Sequence, residues 1–164
     1  MKGNKGITLI ALVVTIIVLL ILAAVAIAML TGDNSILKRA QSTQAYTAIG
    51  AAKDEVNLAY NAAFADYLKA KYEADNTVNP AEIKFSTFLN KRIGEARTNT
   101  TNRDTSAGKT TITPDTISDS TTEIKITFKD AQSQKTYETK AKLSTTVNAE
   151  SLSAWSKVSD PDAE

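Results

Sequence analysis

The first apolar segment of the chain, from Ile7 to Leu30, differs from every later one. It contains no charged residue and only two mildly polar ones, Thr8 and Thr15. As an α-helix rising about 1.5 Å per residue it would be about 36 Å long, enough to cross the hydrocarbon core of a bilayer. A surface helix of a globular protein would show a polar side, and this segment shows none. The pattern therefore predicts a membrane-spanning helix over 7–30.

A polar interruption and a second pattern follow. Residues Gly32–Ser35 break the apolar run, so we expect a kink or a melted turn there, with Asp33, Asn34 or Ser35 able to cap a new helix. Apolar residues then recur at helical spacing, namely Ile49, Ala52, Val56, Ala59, Ala63 and Tyr67. This predicts an amphipathic helix over 35–75 whose apolar stripe is covered by the rest of the domain.

A shorter helix is predicted over 80–93. Asn79 suits the N-cap and Pro80 the first helical position, and Glu82 completes a capping-box pattern. Gly94 would end this helix.

The next segment, 95–122, is rich in Thr, Ser, Asn and Asp and poor in large apolar residues. It is predicted to be an exposed loop with one possible edge strand, Lys109–Thr113, stopped by Pro114. We expect this loop to be the best exposed candidate for surface contacts or glycosylation.

Strict alternation of apolar and polar residues marks the region 122–145. Ile124, Ile126 and Phe128 alternate with polar residues, and the same pattern resumes from Tyr137 to Leu143. Two such runs joined by a short polar turn predict an antiparallel β-hairpin with one buried face.

Near the C-terminus, Trp155 and Val158 are expected to close the edge of the core. The last residues, Asp160–Glu164, are predicted to be frayed.

These elements predict an α+β fold. A long N-terminal helical spine, half transmembrane and half amphipathic, would pack on a small antiparallel β-sheet head that carries an extra short helix.

Charge and composition exclude several kinds of chemistry. The chain has no cysteine and no histidine, so disulfides, thiolate metal sites and histidine-based catalysis are excluded. The net charge is +1. No concentrated basic patch stands out along the chain, so we expect no direct nucleic-acid binding. Lys2 and Lys5, before the apolar segment, favour a cytoplasmic N-terminus and an outward-facing head.

No catalytic, metal or cofactor site is predicted, and we expect the protein not to be an enzyme. The sequence Ala107-Gly108-Lys109-Thr110 imitates the end of a phosphate-binding loop, but Arg103 stands where that motif requires its first glycine.

The N-terminal stretch KGITLIALVVTIIVLLILAAVAI resembles type IV pilins and pseudopilins, especially those of Gram-positive bacteria. The resemblance covers about the first forty residues. It implies a leader over 1–6, cleavage after Gly6 by a prepilin peptidase and N-methylation of Ile7. Thr8, Leu9 and Ile10 match the family's next positions.

The resemblance also implies partners and a filament core. A cytoplasmic assembly ATPase and a membrane platform protein would move the subunit from the membrane into a helical polymer of copies of this chain or of mixed pilins, with residues 31–164 as the extracellular head. The residues predicted to pack in the filament core are Leu9, Ile10, Leu12, Val13, Ile16, Ile17, Leu20 and Ala24.

One departure from the family matters, and a smaller one is Ile7, where phenylalanine is commoner. Ala11 stands where these proteins usually have glutamate, a carboxylate thought to pair with a neighbouring subunit's N-terminal ammonium. The usual mechanism for setting the register between subunits therefore does not transfer to this chain.

We therefore expect a structural subunit of a type IV pilus or pilus-like filament, held in the cell membrane before assembly and on the cell surface afterwards. Three alternatives stay open. The chain could be a single-pass anchored extracellular binding protein, or a minor or tip pseudopilin of a secretion or DNA-uptake machine. It could also be a domain released by signal peptidase at Ala24-Val25-Ala26 or Ala26-Ile27-Ala28, which both fit a small-x-small cleavage site.

Overall fold

The computed structural model describes residues 5–32, 36–73, 82–145 and 152–161, with only the backbone at 5–8 and 31. It has three helices and three strands in those residues, in the order ααα followed by βββ. The chain separates into two compact units, residues 1–42 and 43–164. The described architecture is α+β, with a long apolar N-terminal helix and a small antiparallel sheet.

Helix α1, Lys5–Thr31, contains the predicted apolar segment. At its C-terminal end the backbone N–H of Gly32 donates to the carbonyl of Ala28 at 2.9 Å, which satisfies one of the last carbonyls of the helix. The predicted kink and cap at Asp33–Ser35 lie outside the described residues.

Helix α2, Ile36–Glu73, is the predicted amphipathic helix. Its buried residues follow the predicted stripe and extend it toward the N-terminus: Ala45, Ile49, Ala52, Val56, Ala59, Tyr60 and Ala63. Phe64 and Tyr67 are partly buried against the same core. The small alanines of this stripe let neighbouring elements approach the helix closely. Tyr60, Phe64 and Tyr67 each make an edge-to-face contact with Phe85.

Helix α3, Phe85–Arg103, corrects the prediction of a helix over 80–93. Asn79 and Pro80 lie outside the described residues, and Gly94 is an interior residue of the helix. The buried positions Leu89, Ile93, Ala96 and Thr100 continue one helical face past the glycine. Packing of that face outweighs the low helix propensity of Gly94 and of the threonines that follow.

The predicted loop over 95–122 is therefore shorter than expected. Residues 95–103 are helical, and strand β1, Gly108–Thr113, occupies the predicted edge-strand position. Arg97 of α3 holds the end of β1, because its Nε donates to the carbonyl of Ile112 at 3.1 Å and its Nη2 donates to that of Pro114. Burial lowers the pKa of this guanidinium, a change that nearby Asp115 opposes.

The predicted hairpin is confirmed as strands β2, Glu123–Asp130, and β3, Thr136–Lys142. The three strands form an antiparallel sheet in the order β1-β2-β3, with Ile112 opposite Ile126 and Ile126 opposite Thr139. One face of the sheet joins α2 and α3 in the core. Alternation alone places Ile124, Ile126 and Phe128 on that face.

The C-terminal segment 152–161 runs beside β3. Backbone N–H groups of Ser153, Ser156 and Ser159 donate to carbonyls of β3 at 2.8 to 3.0 Å. Trp155 and Val158 pack on the core as predicted. The indole Nε1 of Trp155 donates to Asn57 of α2 at 3.2 Å.

Asp160, the first residue of the tail predicted to be frayed, is instead hydrogen-bonded to α2. The hydroxyl of Tyr46 on α2 donates to Asp160 at 3.4 Å. The last three residues of the chain, 162–164, lie outside the described residues.

Candidate membrane and assembly surface

The uncovered apolar surface of α1 is the most distinctive chemical feature of the chain. Among the described helices, one contains a segment that is long and apolar enough to cross a membrane: the 22 residues Leu9–Leu30. None of this segment is buried. Its large side chains are between 45% exposed, at Val13, and 65% exposed, at Leu19. An apolar surface of this size in water is strongly unfavourable, so lipid or other protein must cover it.

The predicted packing residues all lie on this surface. Leu9, Ile10, Leu12, Ile16, Ile17 and Leu20 are exposed together with Val13 and Ala24. At 100° per residue they span an arc of about 160° and form one broad face of the helix. The other residues of Leu9–Leu30 are also apolar or uncharged, so the rest of the helix surface is apolar as well. Such a surface suits a helix enclosed on all sides.

Thr15, the one polar residue of Leu9–Leu30, has its hydroxyl satisfied within the helix. Thr15 Oγ1 donates to the carbonyl of Leu12 at 2.8 Å, so its hydroxyl needs no partner from outside. Ala11 is exposed and adds no charge. The described side chains of α1 therefore offer no polar obstacle to lipid.

The structure describes only some of the residues predicted to take part in processing. Lys2 lies outside the described residues, whereas the backbone of Lys5, Gly6 and Ile7 belongs to the first turns of α1.

The compact unit of residues 43–164 has its own core and a network of polar contacts between elements. Arg92 of α3 lies 2.7 Å from Asp66 of α2 and 2.9 Å from Glu95. These carboxylates raise the pKa of Arg92, mainly through the hydrogen bond that Arg92 donates to Asp66. Arg103 of α3 pairs with Glu55 of α2. The contacts join α2 to α3, which indicates a structural role.

A second cluster ties the segment after β1 to the start of α3. Lys84 Nζ lies 2.9 Å from Asp119, and Ser86 donates to the same carboxylate. The hydrogen bonds from Lys84 and Ser86 hold the pKa of Asp119 below its ordinary value. Asn90 accepts a hydrogen bond from the backbone of Ile117 at 2.8 Å.

The outer face of the sheet carries a cluster of lysines that is not visible in the linear sequence. Every outward residue of the three strands is Lys, Thr or Glu, and five of them are lysines against two glutamates. The lysines are Lys109, Lys125, Lys129, Lys140 and Lys142. Along the chain they are spread over three strands, and only the antiparallel register places them together.

The segment that resembles the end of a phosphate-binding loop has a different structure in the fold. Gly108, Lys109 and Thr110 begin strand β1 and do not form a loop before a helix. Within the part of the chain that the structure describes, no group of three or more acidic side chains is placed to hold a metal ion.

No protein-family model matches the chain, and neither the curated proteins nor the solved structures include a significant match to it.

Proposed function

We propose that the chain is a structural subunit of a type IV pilus or pilus-like filament, processed after Gly6 and polymerised through α1. The observation that carries the proposal is the uncovered apolar surface of Leu9–Leu30 directly after the basic leader that ends in Gly6. Such a helix is stable in lipid first and against copies of itself later, since both environments remove it from water.

The separate head supports this proposal. Residues 43–164 form a compact unit with their own hydrophobic core. A filament subunit needs a head that keeps its fold both before and after its helix leaves the membrane. In the proposed mechanism, prepilin peptidase removes residues 1–6, Ile7 is methylated, and an assembly ATPase and platform protein move the helix into the polymer.

Ala11 favours a second candidate within the same class, a minor or tip subunit. An incoming subunit's N-terminal ammonium would find no carboxylate at this position. A filament composed mainly of this chain would have to set its register through packing alone. In a mixed filament, neighbouring pilins could supply the missing carboxylates.

The decisive experiment determines the N-terminus of the protein recovered from its host by intact mass and sequencing, with and without the prepilin peptidase. Three chains are compared: the natural sequence, Gly6→Leu and Ala26→Leu. Ala26 is shared by both small-x-small sites, so its substitution blocks signal peptidase and leaves the pilin site untouched. We expect an N-terminus at methylated Ile7 in the natural chain and in Ala26→Leu, and an intact leader in Gly6→Leu or without the peptidase.

Two results would contradict the proposal. An N-terminus at Ile27 or Met29 that disappears in Ala26→Leu would identify a secreted domain. An intact Met1 in the natural chain would identify a solitary membrane anchor.

Assembly can be tested separately because the chain has no cysteine. Ile17→Cys places one thiol on the apolar surface of α1. As a control, Lys91→Cys places one thiol at an exposed position of α3. We expect α1 cross-links between copies, or between this chain and other pilins, that require the peptidase. Cross-links at Ile17→Cys that form equally without the peptidase would show association in the membrane rather than assembly.

A further inference from the structure

The outer sheet face described above is a localised positive surface on a chain with almost no net charge. Its five lysines and two glutamates give a net charge of +3. The whole chain has 19 basic and 18 acidic residues, so the remainder has 14 and 16. At physiological ionic strength the Debye length is about 8 Å. A partner at this face therefore interacts mainly with the lysines there, and the net charge of the whole chain matters little.

Three of these lysines are available to a partner. Lys125 lies 3.5 Å from Glu138 and Lys140 lies 3.7 Å from Glu123, so both glutamates of the face are already paired. Lys109, Lys129 and Lys142 are exposed, and no carboxylate in the described residues forms an ion pair with them.

The register arranges the lysines in rows. Lys109 lies opposite Lys129, and Lys125 lies opposite Lys140. Positions 125 and 129 are four residues apart along β2, which is about 13 Å at about 3.3 Å per residue. The row of Lys125 and Lys140 is the one paired with Glu138 and Glu123, so within the described residues the unpaired positive charge lies in the row of Lys109 and Lys129 and at Lys142.

The outward threonines favour contacts to a phosphate backbone, and the two outward glutamates are already paired with lysines. Thr111 and Thr127 lie between the two lysine rows, in one cross-strand row with Glu138, which is paired with Lys125. Threonine hydroxyls and lysines are ordinary phosphate ligands. The outward residues of the three strands include no aromatic side chain on which a base could stack, which disfavours a single strand.

We propose that the outer face of the sheet binds the phosphate backbone of double-stranded DNA without reading its sequence. The proposal reverses the expectation drawn from charge along the chain, because the lysines come together only in the folded sheet. It does not depend on cleavage after Gly6.

The test measures binding of the full chain, in a neutral detergent, to a labelled duplex of about 30 base pairs by fluorescence anisotropy. Three phosphate contacts predict a slope of about −2.7 for the logarithm of the binding constant against that of salt concentration. Binding should therefore weaken about 40-fold between about 50 and about 200 mM salt. Two duplexes of unrelated sequence should bind alike.

Matched triple variants locate the surface. Lys109→Gln with Lys129→Gln and Lys142→Gln should weaken binding at low salt by about tenfold or more and flatten the salt dependence. The control changes three exposed lysines of α2 and α3, Lys69, Lys71 and Lys91, to Gln with the same loss of charge. It should leave binding within about threefold of the natural chain.

Several outcomes would overturn the proposal. They are absence of binding at low salt, equal loss in both triple variants, and tighter binding to a single strand of the same length. Binding through the same lysines to phosphatidylglycerol vesicles but not to DNA would assign the face to a membrane instead.

Discussion

Asp130 and Ser133 close the turn between β2 and β3, because Oδ1 of Asp130 accepts hydrogen bonds from both the backbone N–H of Ser133 at 2.6 Å and its hydroxyl at 2.8 Å. The same oxygen accepts a third hydrogen bond from the backbone of Gln132 at 3.0 Å. Asp130 is only 1% exposed. A single carboxylate therefore satisfies several donors of the turn that sets the hairpin register.

We expect Asp130→Ala to lower the free energy of unfolding by about 2 kcal/mol, because it leaves the N–H groups of the turn without their acceptor. Asp115→Ala removes an exposed carboxylate and should change the free energy of unfolding by less than about 0.5 kcal/mol. Urea unfolding of the full chain in a neutral detergent, followed by circular dichroism, measures both. Equal effects of the two substitutions would contradict the assigned role of Asp130.

The stability contribution of Asp130 should also depend on pH. Burial alone would raise the pKa of its carboxyl, but hydrogen bonds from Ser133 and Gln132 outweigh burial and hold the pKa below the ordinary 3.8. Because the folded pKa is lower than the unfolded one, the contribution is present above the unfolded value. It is lost as pH falls through the folded pKa.

Comparison with Asp130→Asn isolates this effect. The difference in unfolding free energy between the natural chain and the variant should be constant from pH 7 to about pH 5 and should shrink below about pH 4. A difference that stays constant down to pH 3, or that grows, would show that the charge of Asp130 is not the cause. The measurement is the urea midpoint at each pH.

Two buried threonines provide a matched test of hydrogen bonding. Thr139 is 1% exposed and its Oγ1 donates to the carbonyl of Ser156 at 2.7 Å. Thr100 is 5% exposed, and its Oγ1 has no hydrogen-bond partner in the described part of the chain. Thr139→Val should cost about 1–3 kcal/mol, whereas Thr100→Val should be neutral or stabilising by up to about 1 kcal/mol. Thermal unfolding measures both, and a larger cost for Thr100→Val would refute the assignment.

Substitution of glycines should have opposite effects in helices and in the sheet. A Cβ added at Gly50 of α2 or Gly94 of α3 meets no atom within 4 Å. Gly50→Ala and Gly94→Ala should each stabilise the fold by about 0.5–1 kcal/mol, because alanine has the higher helix propensity.

At Gly108 of β1 we expect the opposite change in stability on substitution by alanine. A Cβ there would collide with the ring of Phe128 and would lie 2.7 Å from the carbonyl oxygen of Lys129. Gly108→Ala should therefore destabilise by about 1–3 kcal/mol, since the backbone contact cannot relax easily. Stabilisation by Gly108→Ala, or destabilisation by Gly94→Ala, would be the contrary result. Urea unfolding under one set of conditions compares the three variants.

Helix α3 shows where local signals mislead. Gly94 and the run of threonines and asparagines after it favour a helix end and a loop by propensity. In the structure Ala96 and Thr100 lie on the buried face begun by Leu89 and Ile93. Helical spacing of these four positions was the one signal in the sequence that could have extended the prediction to Arg103.

The basic outer face could not have been found from spacing along one segment. Lys109 and Lys129 are distant in the chain and face each other only because β1 pairs with β2 in one particular register. The role of Asp130 was equally hidden, because a polar turn predicts a hairpin without showing which side chain will be buried in it.

The sequence by itself determined the elements whose cause is local. An uncharged run of apolar residues requires a helix that other apolar material must cover, and alternation from Ile124 to Leu143 requires a half-buried hairpin. The tertiary structure decided where α3 ends, which carboxylate closes the hairpin and which lysines share a face. These features depend on contacts between residues far apart in the chain, whose free energy enters only when the core forms.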